Sequence, residues 1–326
     1  MPLARGASGY GSVRQVKPQE QCLLPVEEME EFFMKLKGFI SALENSGFTV
    51  TDRNAVTTMW LAFQDTGNGH VPAVILDGPP GVGKTFLAEK VAEVWDAAVV
   101  FFQFYRGAGK EELLFDLDIS RIVRGMSGND IPENFRDIVS LGVLPRAAEM
   151  SHHGKVVLIL DEMDKSHPST DAFLLDFLQN ARLSIPHIGE IKPNTANMLV
   201  VITKNDERAL SEPLLRRCRP VRMSFPTPEV EAGMIQKMTG CPIEMAKALV
   251  TFANKVRATG PAKMPSTPEL IRLAKDIVTL YQDSEIDMIG YVVRDTLYQE
   301  DEEIPPTFQI KNVSKIFAAI LERSGS

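Results

Sequence analysis

The segment GPPGVGKT, Gly78 to Thr85, combines three glycines, a lysine and a hydroxyl side chain at spacings suited to gripping phosphate. Glycines at 78, 81 and 83 let backbone N–H groups curl around phosphate oxygens with no Cβ in the way. Pro79, Pro80 and Val82 complete the loop, and Phe86 follows it. A helix starting there points its positive end at the anion. Lys84 is then placed to reach the outer phosphates of a nucleoside triphosphate, and Thr85 to hold Mg2+. A second group follows in VVLILDEMDK, where Asp161 and Glu162 end an apolar run. Asp161 is expected to orient the metal and Glu162 to polarise an attacking water; Asp164 and Ser166, further on, suit a cap for the next helix. In MLVVITKNDERALSEPLLRRCR a third apolar run delivers Asn205, whose amide suits fixing that water. Ser211 and Pro213 then open a short helix ending in Arg216, Arg217 and Arg219. Arg219 suits balancing the helix dipole; Arg217, with Arg216 beside it, suits stabilising transition-state charge in a neighbouring copy.

The elements that position these groups follow from the hydrophobic pattern. VPAVILDG, VVLIL and MLVVIT are short apolar runs of the kind that form strands buried on both faces, and helical stretches separate them. That alternation predicts an α/β fold, a parallel sheet with helices on both sides, whose carboxyl edge gathers the loop, the acidic pair and the asparagine. Before it, residues 1–25 read as a flexible arm, and VEEMEEFFMKLKGFISAL repeats with helical spacing from Val26 to Leu43. Beyond the proline-bearing FPTP at Phe225–Pro228 the pattern becomes helical, giving a core over 26–225 and a smaller all-α domain over 226–326.

Between the second and third groups lies ARLSIPHIGEIKP, residues 181–193, a hairpin pattern with a turn from Pro186 to Gly189. The 326 residues carry 35 basic and 43 acidic side chains, a net charge of −8 that argues against a broad nucleic-acid surface. Cys22, Cys218 and Cys241 are odd in number and lack metal spacing, which suits a reducing cytoplasm. No apolar run approaches the length of a membrane span. The five histidines form no metal pattern, and His152 and His153 suit a solvated turn.

The loop, Asp161–Glu162, Asn205 and Arg216–Arg217 in this order resemble the AAA+ ATPases, P-loop proteins with an αβα sandwich core followed by a helical lid. Within them the chain is similar to the MoxR branch, in FFQFYRGAGKEELLFD, in ARLSIPHIGEIKP and in ITKNDERALSEPLLRRCRPV. The resemblance spans about residues 50 to 280. It implies ATP and Mg2+ as ligands and a ring of identical subunits, commonly a hexamer. It further implies turnover used to remodel or activate client proteins, often beside a von Willebrand A domain partner. By the same likeness residues 181–193 would project toward the ring interior, and residues 107–132 would hold a second insertion; an edge ribbon guarded by Pro186 and Lys192 is the other reading of the hairpin. One departure concerns the lid, where Glu269 stands in place of the family's second sensor arginine, with Arg272 and Lys263 nearby as substitutes. A nucleotide-gated scaffold with little hydrolysis and a nucleic-acid motor are the alternatives.

Overall fold

The computed structural model describes residues 13–14, 36–117, 139–185, 188–260, 264–298, 304 and 308–324. The chain divides into two compact units, one holding residues 1–78 and 84–223 and the other residues 79–83 and 224–326.

In the first unit the strands are β1 (Val13–Arg14), β2 (Ala73–Asp77), β3 (Ala98–Gln103), β4 (Phe115–Leu117), β5 (Val139–Leu141), β6 (Val156–Asp161), β7 (Leu183–Ile185), β8 (Gly189–Ile191), β9 (Met198–Lys204) and β10 (Arg219–Arg222). The main sheet runs β1-β3-β6-β9-β2-β10, parallel throughout except for β1. Every residue of β6 is buried, and so are all but the last of β9. Runs of Val, Ile and Leu without polar alternation are what a strand covered on both faces requires. Helices Lys84–Val94, Val143–Met150 and Ser169–Asn180 supply Leu87, Val91, Leu144, Ala147, Leu174 and Phe177 to that cover. The register pairs Leu160 with Ile202 and Asp77 with Lys204, so the ends of β2, β6 and β9 arrive at one edge.

Strand β10 is absent from the hydrophobic pattern because RPVR buries only Val221. It lies outside β2 as an edge strand, the place where Pro220 is tolerated. Arg219 therefore does not serve a helix end: it sits in this strand, and its guanidinium pairs with Asp65, Nε donating at 2.9 Å. The expected hairpin is present as β7 and β8, pairing Leu183 with Ile191 and Ile185 with Gly189. Leu183 and Ile185 are buried in the main core, while Pro186 and His187 lie outside the described residues. A second ribbon joins β4 to β5; residues 118–132 of the proposed insertion lie outside the described residues. So do residues 26–35 of the amphipathic stretch, whose remainder forms helix Leu36–Asn45 with Phe39 and Leu43 buried.

The second unit contains helices Pro228–Thr239, Ile243–Thr259, Thr267–Gln282, Ile286–Leu297 and Ile310–Ser324 around a core of its own, with Ile235, Leu249, Leu273 and Phe317 fully buried. Inside it Arg257 forks onto Glu231, Nη1 to Oε2 at 2.8 Å and Nη2 to Oε1 at 2.9 Å. Thr267 donates to the same carboxylate at 2.7 Å, and the guanidinium lies 3.9 Å from the centre of the Phe225 ring. Glu231 has no exposed surface. Arg257→Ala leaves its charge buried without a counterion, so this variant loses about 3–5 kcal/mol of stability in denaturant unfolding; a loss under about 1 kcal/mol would contradict the role given to the pair. Glu269 closes a capping box at the start of helix Thr267–Gln282: its Oε2 accepts from the backbone N and the hydroxyl of Ser266, each at 2.8 Å. Arg272 is exposed on that helix, and Lys263 lies outside the described residues.

Candidate functional site

The loop after β2 needs its glycines. A Cβ on Gly78 would fall 2.2 Å from the carbonyl oxygen of Met223, and Gly81 and Gly83 hold φ of 81° and 90°. Helix Lys84–Val94 begins immediately after, and its first residue is 6% exposed. Lys84 Nζ donates to Gly78 O and to Asn205 Oδ1, each at 2.6 Å. Burial lowers its pKa, against the pull of Asp161, Asp164, Asp77 and Glu162, which favours the cation.

Thr85 donates from Oγ1 to Asp161 Oδ1 at 2.7 Å, and Thr203 donates to the same oxygen at 2.8 Å. Thr203 Oγ1 in turn accepts from the backbone N of Glu162 at 2.9 Å. Thr203, fully buried on β9, thus fixes both acidic residues, a role its place inside an apolar run concealed. Glu162 takes the left-handed conformation at φ 56°, a geometry that costs a residue with a Cβ about 1 kcal/mol. Its Oε1 accepts from Asn205 Nδ2 at 3.0 Å, and its Oε2 from Gln103 Nε2 at 3.0 Å and Lys165 Nζ at 2.7 Å. Burial would raise the carboxyl pKa, but the donors Lys165, Gln103 and Asn205 with the Lys165 charge prevail and lower it. The Lys165 pKa is raised, chiefly by that hydrogen bond.

Asp164 does not cap the next helix. It is buried, and its Oδ2 accepts from the backbone N of Asn205 and of Glu207, each at 2.8 Å, so it holds the turn that presents the asparagine. Asp171 does the same one step later. It receives both Nη atoms of Arg208, at 3.0 and 2.8 Å, and the backbone N of Ser211 at 2.7 Å. Ser166 likewise binds Arg208, at 2.9 Å. Ser211 occupies the N-cap position of helix Glu212–Arg217 with no hydrogen bond from its side chain to the helix.

Lys84, Thr85, Asp161, Glu162 and Asn205 thus form one connected network. Three residues named from sequence stand apart from it. Arg216 is exposed and pairs with Glu212 one turn back. Arg217 is half-buried, and its Nε has no hydrogen-bond partner among the described residues. Phe86 is 45% exposed, with its ring 5.8 Å from that of Phe48. Lys165, Gln103 and Thr203 carry no site role in the sequence, and Asp164 carries only that of a helix cap; the Glu-to-Lys spacing of three in DEMDK is the one signal available. An open cleft of about 450 Å3 beside Glu162 is lined by Gln103, Tyr105, Arg106, Lys165 and Glu207 among others.

Among the described residues no group of three or more His, Cys, Asp or Glu is placed to cage a metal. Mg2+ needs none, because it keeps several waters and binds through one or two protein oxygens plus phosphate. The Thr85 hydroxyl and Asp161 carboxylate, already in contact, are hard oxygen donors that fit it.

Residues 73–218 match the family model described as the AAA domain, dynein-related subfamily. Lon protease 2 of Borreliella burgdorferi is 29% identical over 189 residues, covering 56% of this chain and 22% of the relative. The peroxisomal Lon protease homolog 2 of Kluyveromyces lactis is 27% identical over 210 residues, covering 60% of this chain and 19% of its own. The chain therefore spans about a fifth of the length of these relatives. Among solved structures, a mutant RuvB from Thermotoga maritima aligns with a TM-score of 0.47 and 18% identity, over 77% of this chain and 72% of that one. The segment that matches the AAA domain contains Lys84, Thr85, Asp161, Glu162 and Asn205.

Proposed function

We propose that this chain hydrolyses ATP with Mg2+ as a ring-shaped homo-oligomer, a hexamer, and uses the turnover to remodel or activate client proteins in the manner of the MoxR branch. The observation that carries this reading is the network linking Lys84 through Asn205 to Glu162, beside the Thr85–Asp161 contact. Lys84 exchanges Gly78 O and Asn205 Oδ1 for phosphate oxygens, a stronger bond because both partners are charged. That exchange releases Asn205 Oδ1 to orient a water whose oxygen attacks the γ phosphorus. Glu162 takes the water's proton as the bond to the leaving ADP oxygen breaks. Thr85 and Asp161 hold Mg2+, which when bound neutralises charge on the phosphates.

In this reading residues 1–25 are an arm, 26–225 the nucleotide core and 226–326 the lid. Glu269 is committed to its capping box, and Arg272 on the same helix is exposed. The partners are further copies of this chain and a client protein, with a von Willebrand A domain protein as candidate. Nucleic acid is not expected at a net charge of −8. No described helix is long and apolar enough to cross a membrane, and a cytoplasmic location fits the cysteine usage. The β7–β8 hairpin is the client-facing element.

Arg217 suits the ring: the residue is half-buried, and its buried Nε has no hydrogen-bond partner among the described residues. Arg217→Ala should bind ATP normally and lose about a thousandfold in turnover. Mixing it with Lys84→Ala restores partial phosphate release, because some interfaces then pair an intact loop with an intact arginine. Mixtures as inactive as either parent would refute action between subunits.

A further inference from the structure

Glu162 is more tightly held than a working base requires: Gln103 and Lys165 both bond Oε2 from outside the nucleotide network, and Lys165 is the charged one of the two. A carboxylate offers about four lone-pair positions. Here three are taken, by the Asn205 amide, the Gln103 amide and the Lys165 ammonium. Asn205 belongs to the nucleotide network through Lys84. Lys165 does not: it stands on the opposite side of the carboxylate, in the short 3-10 turn Met163–Lys165, and faces the open cleft. There its ammonium also lies 3.9 Å from Glu207, itself 3.7 Å from the exposed guanidinium of Arg106. The side chains of Glu162 and Lys165 are 20% and 26% exposed, so solvent screens their attraction only in part. A base that must accept a proton in the transition state gains nothing from a cation already bonded to the accepting oxygen. It must break that bond first.

We infer that Lys165 is a positioning residue that restrains Glu162 in the nucleotide-free chain, and that its ammonium must leave Oε2, toward Glu207, before Glu162 can take a proton from water. The inference rests on the ATP-hydrolysing reading above. Lys165 touches no substrate and acts only through the carboxylate it holds. Glu207 is suited to receive it, because the backbone of Glu207 is fixed by Asp164 on the same turn that presents Asn205. A movement of Asn205 on phosphate binding is thereby linked to the carboxylate that would draw Lys165 away.

The test compares Lys165→Met, Lys165→Gln and Lys165→Arg in the full chain, with melting temperature as the control for folding. Steady-state phosphate release gives kcat and KM, and a fluorescent non-hydrolysable ATP analogue gives binding. Lys165→Met and Lys165→Gln should raise kcat by roughly three- to tenfold, with KM and analogue affinity unchanged, since only the freedom of the base is altered. Lys165→Arg keeps a cation and should gain less than either. In the Glu162→Gln background the gain should disappear. A Lys165→Met and a Lys165→Gln protein that fold yet are no faster than wild type overturn the inference, whatever the wild-type rate. A fall in kcat does the same and makes the lysine a support rather than a restraint. Failure of the underlying reading is separate: there wild type and Glu162→Gln release phosphate equally.

Discussion

Lys84→Ala weakens ATP binding by about a hundredfold or more, the size expected when a charged donor is removed from a phosphate. The surroundings make the effect large. Lys84 is buried and sits amid the fields of Asp161, Asp164, Asp77 and Glu162. Without it the balance of charge facing a polyanion shifts toward the carboxylates, and the repulsion adds to the lost hydrogen bonds. Its Nζ also joins Gly78 O to Asn205 Oδ1, so its loss disconnects the glycine loop from the Asn205 amide. Titration with a fluorescent ATP analogue checks this, with thermal unfolding to show that the variant is folded. An affinity within threefold of wild type would show that the loop does not grip phosphate through this lysine.

Glu162→Gln acts on the chemistry and spares binding. The glutamine keeps the shape and keeps a carbonyl oxygen able to accept from Lys165 or Asn205, but it cannot take a proton from water. General-base catalysis contributes about 10²- to 10⁴-fold, so turnover falls by that factor. Affinity holds or improves, because one negative charge leaves the neighbourhood of the triphosphate. ATP at a hundred times its Kd then stabilises either protein by about 2.7 kcal/mol. A matched rise in melting temperature for wild type and variant is the check; absence of that rise in the variant would mean that Glu162 supports the site structurally.

The parts of this account legible in the sequence are those in which one run of residues specifies both element and chemistry. VILDGPPGVGKT gives a buried strand, a glycine loop and a helix in twelve consecutive residues. VVLILDE likewise places Asp161 at the end of β6. What stayed hidden depends on pairing between distant segments. Strand β10 carries its pairing in backbone hydrogen bonds to β2, and its side chains give no periodic signal. Arg219 at the end of a helical pattern looked like a dipole partner, yet the strand takes it to Asp65, 154 positions away. Asp164 and Asp171 bind backbone N–H groups about forty residues downstream, and such bonds leave no trace in spacing. Lys165 was visible only as a lysine three residues after a glutamate, a pattern as common on solvated turns as in sites. Ser211 shows the opposite case: the residue type suited a cap, but Asp171 claimed its backbone and its hydroxyl makes no capping bond.

In the proposed mechanism Glu162 is the base of an ATP-hydrolysing site built on Lys84, Thr85, Asp161 and Asn205. Phosphate release by wild type and Glu162→Gln at saturating ATP and Mg2+, over a range of protein concentrations, tests it most directly. Wild-type turnover should rise per chain as the protein assembles, and that of the variant should be at least about a hundredfold lower at every concentration. Equal rates in the two proteins, in preparations that bind ATP equally well, would contradict it.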